Sequence, residues 1–183
     1  MSAALGPIDI LINSAGAAHR YDPDALDVAA YKAAMDAKYF SYVYPQQVVL
    51  KHMAERLKKD PAVEPGAIVN IIGMGGKMAS ANAALMLNTV GLAHHYAKLG
   101  IRINAINPGA TLTERVEEAL TLEAQRLGVT RDQALADSQA KVPLGRYAKP
   151  EGITDVALFL ASRRASYVSG ALIPMDGVSS PII

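Results

Sequence analysis

Cysteine is absent from the chain, which excludes disulfides and thiolate chemistry. Neither sign of charge is in excess. Eighteen basic residues against 17 acidic ones leave +1, too little to hold nucleic acid or an anionic membrane. No apolar run reaches the roughly 20 residues of a membrane helix. The longest uncharged stretch, Met78 to His95, is alanine-rich and broken by Ser80, Asn82 and Asn88. No basic start followed by an apolar stretch marks a secretory leader, so a cytoplasmic protein is expected. Repeats, low-complexity tracts and interdomain linkers are lacking. No histidine or carboxylate cluster has zinc-ligand spacing, so no metal is expected. His94 and His95 are adjacent on a helical pattern, point in different directions, and read as structural or interface residues.

What is present is an ordinary globular composition, 51% hydrophobic and 19% charged, in 183 residues, enough for one domain with a sizeable core. Ile8 to Asn13 is a short isoleucine-rich run after Pro7, ending in Ser14-Ala15-Gly16, and predicts a strand buried on both faces. A long helix follows. Asp27 is its N-cap, and Tyr31, Met35, Tyr39, Tyr42, Val49, Met53 and Leu57 keep mostly three- and four-residue spacing. Pro45 is expected to kink it, and Lys58 to Pro61 to stop it. Ala67 to Ile72 predicts a second buried strand, followed by Gly73-Met74-Gly75-Gly76. A small-residue helix runs from about 80 to Gly100. It is apolar on more than one face, so burial on several sides is expected. Arg102 to Asn107 is a third strand closed by Pro108-Gly109. Polar helices fill about 113–140 with a break at Gly128, Pro150 to Ala161 is another helix, and Ala171 to Met175 is a last strand. Strands alternating with helices predict an α/β fold, a parallel sheet with helices on both faces. Four strands are fewer than the six or so of a doubly wound dinucleotide domain.

Six motifs in series carry a resemblance. Asn13-Ser14-Ala15-Gly16 follows the first strand, and Ile68-Val69-Asn70-Ile71 forms the second. Gly100-Ile101-Arg102-Ile103-Asn104-Ala105-Ile106-Asn107-Pro108-Gly109 is the most specific. Pro143 to Tyr147, then Pro150-Glu151, Phe159 to Ser162, Gly170 and Asp176-Gly177 complete the pattern. Over essentially its whole length the chain resembles the short-chain dehydrogenases/reductases. This family has a Rossmann-type, doubly wound parallel sheet and transfers a hydride between NAD or NADP and a carbonyl or alcohol. The resemblance implies one domain over 1–183 with a substrate-covering helical segment at 110–142, a small-molecule carbonyl or alcohol substrate, and a homodimer or homotetramer. It further implies that Asn13, Ala15 and Gly16 meet the adenosine half of the cofactor, and Pro108, Gly109 and Thr111 the nicotinamide half. Thr113 reads equally as a cofactor contact or a helix cap. Gly16, Gly73 and Gly109 each follow a strand; singly they read as tight turns, together as a ligand crevice.

The sequence departs from the family at both ends of its chemistry. The family's glycine-rich loop, which takes the pyrophosphate at a helix N-terminus, has no counterpart, and Gly73 to Gly76 lack its spacing. The N-terminal strands are therefore expected to be missing, leaving a raw sheet edge. The family works through Asn, Ser, Tyr and Lys, the lysine four residues after the tyrosine. Here the serine position falls on Gly73, the tyrosine position on Met78, the lysine position on Asn82 and the asparagine position on Lys38. About eight residues of active-site loop are expected to be lacking near Ser80-Ala81. Lys38 is the surviving candidate for a proton donor if it faces the crevice, and an ordinary surface lysine if it does not. Tyr39 and Tyr42 read as core or interface. Two functions stay open, an oxidoreductase of this family and a non-catalytic relative that uses the fold for binding or assembly.

Overall fold

Runs of isoleucine and valine become the strands, which helices connect. A computed structural model describes residues 6–15, 24, 27–73 and 79–180. The strands are β1 (Ile10–Asn13), β2 (Ala67–Ile71), β3 (Arg102–Pro108) and β4 (Leu172–Met175). They pair in parallel in the order β1-β2-β3-β4. Asn13 lies opposite Asn70, Asn70 opposite Ala105, and Ala105 opposite Leu172, so the carboxyl ends of all four strands share one edge.

The helices are α1 (Val28–Ala34), α2 (Ser41–Lys59), α3 (Ala79–Tyr96), α4 (Glu114–Leu127), α5 (Arg131–Gln139) and α6 (Pro150–Ala161). Asp27 caps α1, its carboxylate accepting from the Ala30 N–H at 2.7 Å. Gly100 and Gly128 end helical segments in the left-handed conformation that favours glycine. Alternation along the strands divides the core. Ile68 and Ile103 pack against Leu50 and Met53 of α2 and Ala93 of α3. Val69 and Ile106 face the other way, onto Ile153, Ala157 and Leu160 of α6.

Polar side chains lock this frame where hydrophobic packing alone would slide. Arg102 donates to the last carbonyls around α6, Leu160 at 2.6 Å, Ser162 at 3.0 Å and Ala161 at 3.2 Å. These are groups that a helix end leaves without partners. Asn104 donates to the Val168 carbonyl at 2.9 Å and accepts from the Ala171 N–H at 3.0 Å, fixing the approach to β4.

Three expectations change. The long helix is not regular throughout: a π-helical turn over Met35–Phe40 precedes α2, and Pro45 sits inside α2. The proline ring crowds the Ser41 carbonyl, and the Ser41 hydroxyl donates back to the carbonyls of Ala37 and Lys38. The first strand starts at Ile10, although the Asp9 carbonyl still accepts from the Ala67 N–H at 3.0 Å, and it is not buried on both faces: at this edge of the described sheet Ile8, Ile10 and Ile12 are exposed. The small-residue helix is not buried on several sides within one chain; its buried residues Ala81, Leu85, Thr89 and Ala93 form one stripe. Leu87 on α3 is 75% exposed and Val90 41%. Tyr44 and Val48 on α2, which packs on the same side of the sheet, are exposed as well.

Candidate active site

The π-helical turn adds an extra residue to a helical circuit, a feature frequent at functional sites. Lys38 sits in it and points to the carboxyl edge of the sheet. Its ammonium donates to the Tyr42 hydroxyl at 2.9 Å, the Ala15 carbonyl at 3.3 Å and the Ile71 carbonyl at 3.4 Å. It thus bridges the segment after β1 to the end of β2. Burial pushes the Lys38 amine down to about 8 from 10.5. The Tyr42 hydroxyl donates to the Ile71 carbonyl, and burial raises its pKa well above the usual phenol value, so it stays protonated.

Beneath this pair lies a buried amide network. Asn13 donates to Asn70 at 2.9 Å, and the Asn70 amide nitrogen donates to Thr89 at 3.0 Å and Gln46 at 3.2 Å. Gln46 returns to the Tyr42 carbonyl at 3.2 Å. Strands β1 and β2 and helices α2 and α3 are tied together under the site by groups that water does not reach.

The other sequence candidates divide. The Asn13 side chain is spent inward on Asn70. Ala15 presents its carbonyl to Lys38. Gly73 has φ +104, and a Cβ there would stand 3.7 Å from the Pro108 carbonyl oxygen, so the edge between β2 and β3 carries no side chain at that point. Gly109 has a packing reason of its own. A Cβ would lie 2.7 Å from the Cβ and 2.8 Å from the Cα of Asp176. Thr111 turns its hydroxyl to the Gly109 carbonyl at 3.2 Å. Thr113 is the N-cap residue of α4, but its hydroxyl makes no capping bond; its carbonyl accepts from Val116 and Glu117. Asn82 is half-buried on α3. Gly16, Met78 and residues 74–76 lie outside the described residues. His94 and His95 are exposed, and no metal-holding group of His, Cys, Asp or Glu occurs among the described residues. No described helix is long and apolar enough to cross a membrane.

Sequence reasoning missed Tyr42 as a site residue. A search for lysine four residues after tyrosine finds none, yet the same spacing reversed, Lys38 then Tyr42, was readable and puts both groups on one helical face.

A parallel α/β sheet with glycine, alanine and a half-buried ammonium at its carboxyl edge defines the class, a Rossmann-type dinucleotide fold. A family profile described as enoyl-(acyl carrier protein) reductase matches residues 1–177. Galactitol 2-dehydrogenase (L-tagatose-forming) of Cereibacter sphaeroides is 33% identical over 95% of this chain and 66% of its own length. An inactive 2-(S)-hydroxypropyl-CoM dehydrogenase of Xanthobacter autotrophicus is 30% identical over 95% of the chain and 74% of its own. Thermoplasma acidophilum aldohexose dehydrogenase, ligand-free, superposes with TM-score 0.82 at 26% identity over 100% of this chain and 72% of that one. The chain belongs to the short-chain dehydrogenase/reductase family, whose cofactor is NAD or NADP. It spans about two thirds of the length of the first of these curated relatives.

Proposed function

We propose that this chain carries the nicotinamide and substrate side of an NAD- or NADP-dependent oxidoreductase acting on a small carbonyl or alcohol. Lys38 takes the place of the family's tyrosine-lysine pair. The observation that carries the reading is the Lys38 ammonium, held by the Ala15 and Ile71 carbonyls at the carboxyl ends of β1 and β2. When bound, the nicotinamide supplies or accepts the hydride. Pro108, Gly109 and Thr111 border its position, Ala15 the adenosine side, and the open point at Gly73 leaves room for a ring against the backbone. An ammonium near neutrality can donate a proton to a carbonyl oxygen. Tyr42, too weak an acid to release its own proton, orients the amine. The segment 110–142 covers the substrate. Tyr44 and Val48 of α2 with Leu87 and Val90 of α3 supply an apolar face for a second copy, in a homodimer or homotetramer in the cytoplasm.

The test is titration with NADH and NADPH followed by turnover over a panel of aldehydes and ketones. Binding of one nucleotide, with turnover lost in Lys38→Met and nucleotide affinity kept, supports the reading. Binding of neither nucleotide by folded protein sinks it. A second reading, a non-catalytic relative serving binding or assembly, is favoured by glycine and asparagine at the family's serine and lysine positions. Nucleotide binding without turnover, unchanged in Lys38→Met, would select it.

A further inference from the structure

A cavity of about 470 Å³ opens beside the end of β4. Its size falls among small-molecule sites, roughly 300–1,000 Å³. Lys38, Ala15 and Gly73 do not border it. Asn107, at the end of β3, does. The residue is 2% exposed, and its Oδ1 has no hydrogen-bond partner among the described residues. Pro174 lies opposite Asn107 in the sheet and has no N–H to offer. A buried amide oxygen without a donor is an unfavourable arrangement that a ligand donor would relieve.

The rest of the wall sorts by chemistry. Met86, Leu172 and Pro174 are apolar. Arg146 and Lys149 stand at the rim, exposed and without an ion-pair partner among the described residues. Asp176 also borders the cavity, but its two carboxylate oxygens accept from the Val178 and Ser180 N–H groups at 3.0 and 2.9 Å. Two rim cations against one engaged carboxylate favour an anion.

We propose that this cavity binds a hydroxylated carboxylic acid, its carboxylate between Arg146 and Lys149, its apolar body against Met86 and Leu172, and its hydroxyl donating to Asn107 Oδ1. Binding needs no nucleotide, so the site goes beyond the oxidoreductase reading and stands or falls separately from it.

Calorimetric titration of the whole chain with 3-hydroxyoctanoate, in the absence of nucleotide, tests this. Saturable one-site binding is expected, unchanged by added NADPH. Octanoate, which lacks the hydroxyl, is expected to bind about tenfold more weakly. The double variant Arg146→Ala/Lys149→Ala, at two exposed positions, is expected to weaken 3-hydroxyoctanoate by about tenfold and to flatten its salt dependence. Asn107→Leu is expected to erase the preference for the hydroxylated acid. Should that variant fail to fold, the comparison of the two acids on the unaltered chain still decides. No saturable binding, equal binding of the two acids (a water satisfying Asn107) or undiminished binding by the rim variant would each overturn the assignment.

Discussion

The Lys38 ammonium lies 2.9 Å from the Tyr42 hydroxyl and 4.5 Å from the centre of the Tyr42 ring, one helical turn away. Among the described residues the oxygens that accept from Lys38 are neutral, two carbonyls and a phenol. Among these residues the charge gains hydrogen bonds but no counter-ion, and desolvation lowers its pKa to about 8.

This has a signed consequence for stability. Between pH 8 and 10.5 the unfolded chain keeps a lysine proton that the folded chain has released. Stability therefore rises with pH across that window and gains nothing more from Lys38 outside it. Lys38→Met is expected to remove the rise and to lift the melting temperature at neutral pH. Thermal melts of both proteins across the alkaline range check this; parallel curves would show that Lys38 titrates normally. In the proposed reaction, reduction of a carbonyl falls as pH passes through about 8, because the donor is then lost.

Asn70 is the hub of the network beneath the site, contacting Asn13, Gln46 and Thr89. Asn70→Leu keeps the branched shape but strands the Asn13 donor and the Gln46 acceptor in a dry interior. Each orphaned group costs about 1–3 kcal/mol, so a loss of about 3 kcal/mol is expected. Urea unfolding measures it. A loss below about 1 kcal/mol would mean that the partners find water or each other.

Much of the frame was legible in the residues, and the reasons are local. Ile68 to Ile71 and Ile103 to Ile106 are mostly apolar runs, each with one asparagine, that read as strands covered on both faces, and Gly100 and Gly128 stop helices for a reason visible in the glycine itself. The π-helical turn over Met35–Phe40 was not legible. The three- and four-residue spacing there reads as a regular helix. The orientation of Asn13 was equally hidden, since a strand-end asparagine can face a ligand or the core, and Gln46 and Thr89, far along the chain, decide it. Gly109 was read for a ligand, while Asp176, brought beside it by β4, already forbids a side chain.

Arg102 holds three carbonyls at the end of α6, and its side chain is half-buried. Arg102→Lys keeps the charge but cannot span the three acceptors with one ammonium. A loss of about 1–2 kcal/mol is expected in urea unfolding. A change within about 0.5 kcal/mol would show that the contacts add little beyond water.

Gly109→Ala and Gly91→Ala separate a packing glycine from an incidental one. At Gly109 the new methyl meets Asp176 backbone and Cβ atoms inside 3 Å, so strands β3 and β4 must part. A cost of about 1–3 kcal/mol is expected. At Gly91, in the middle of α3, nothing lies within 4 Å of the added carbon. There alanine is expected to stabilise by about 0.5–1 kcal/mol through helix propensity alone. The opposite ranking in thermal melts would contradict the approach of β3 to the end of β4.

Leu87 is the most exposed large aliphatic residue on α3, and Tyr44 and Val48 of α2 extend the apolar face. A second copy related by a two-fold axis would bury Leu87 twice, once from each chain. At about 1.5–3 kcal/mol for each buried leucine, Leu87→Lys is expected to weaken self-association by at least a hundredfold. The lysine lies in open solvent in the single chain, so the fold should hold. Light scattering behind a sizing column reads the outcome. A dimer or tetramer that persists unchanged in Leu87→Lys, at concentrations where the unaltered chain begins to dissociate, would place the interface elsewhere. Dissociation to a folded monomer that still binds nucleotide would separate assembly from the chemistry at Lys38.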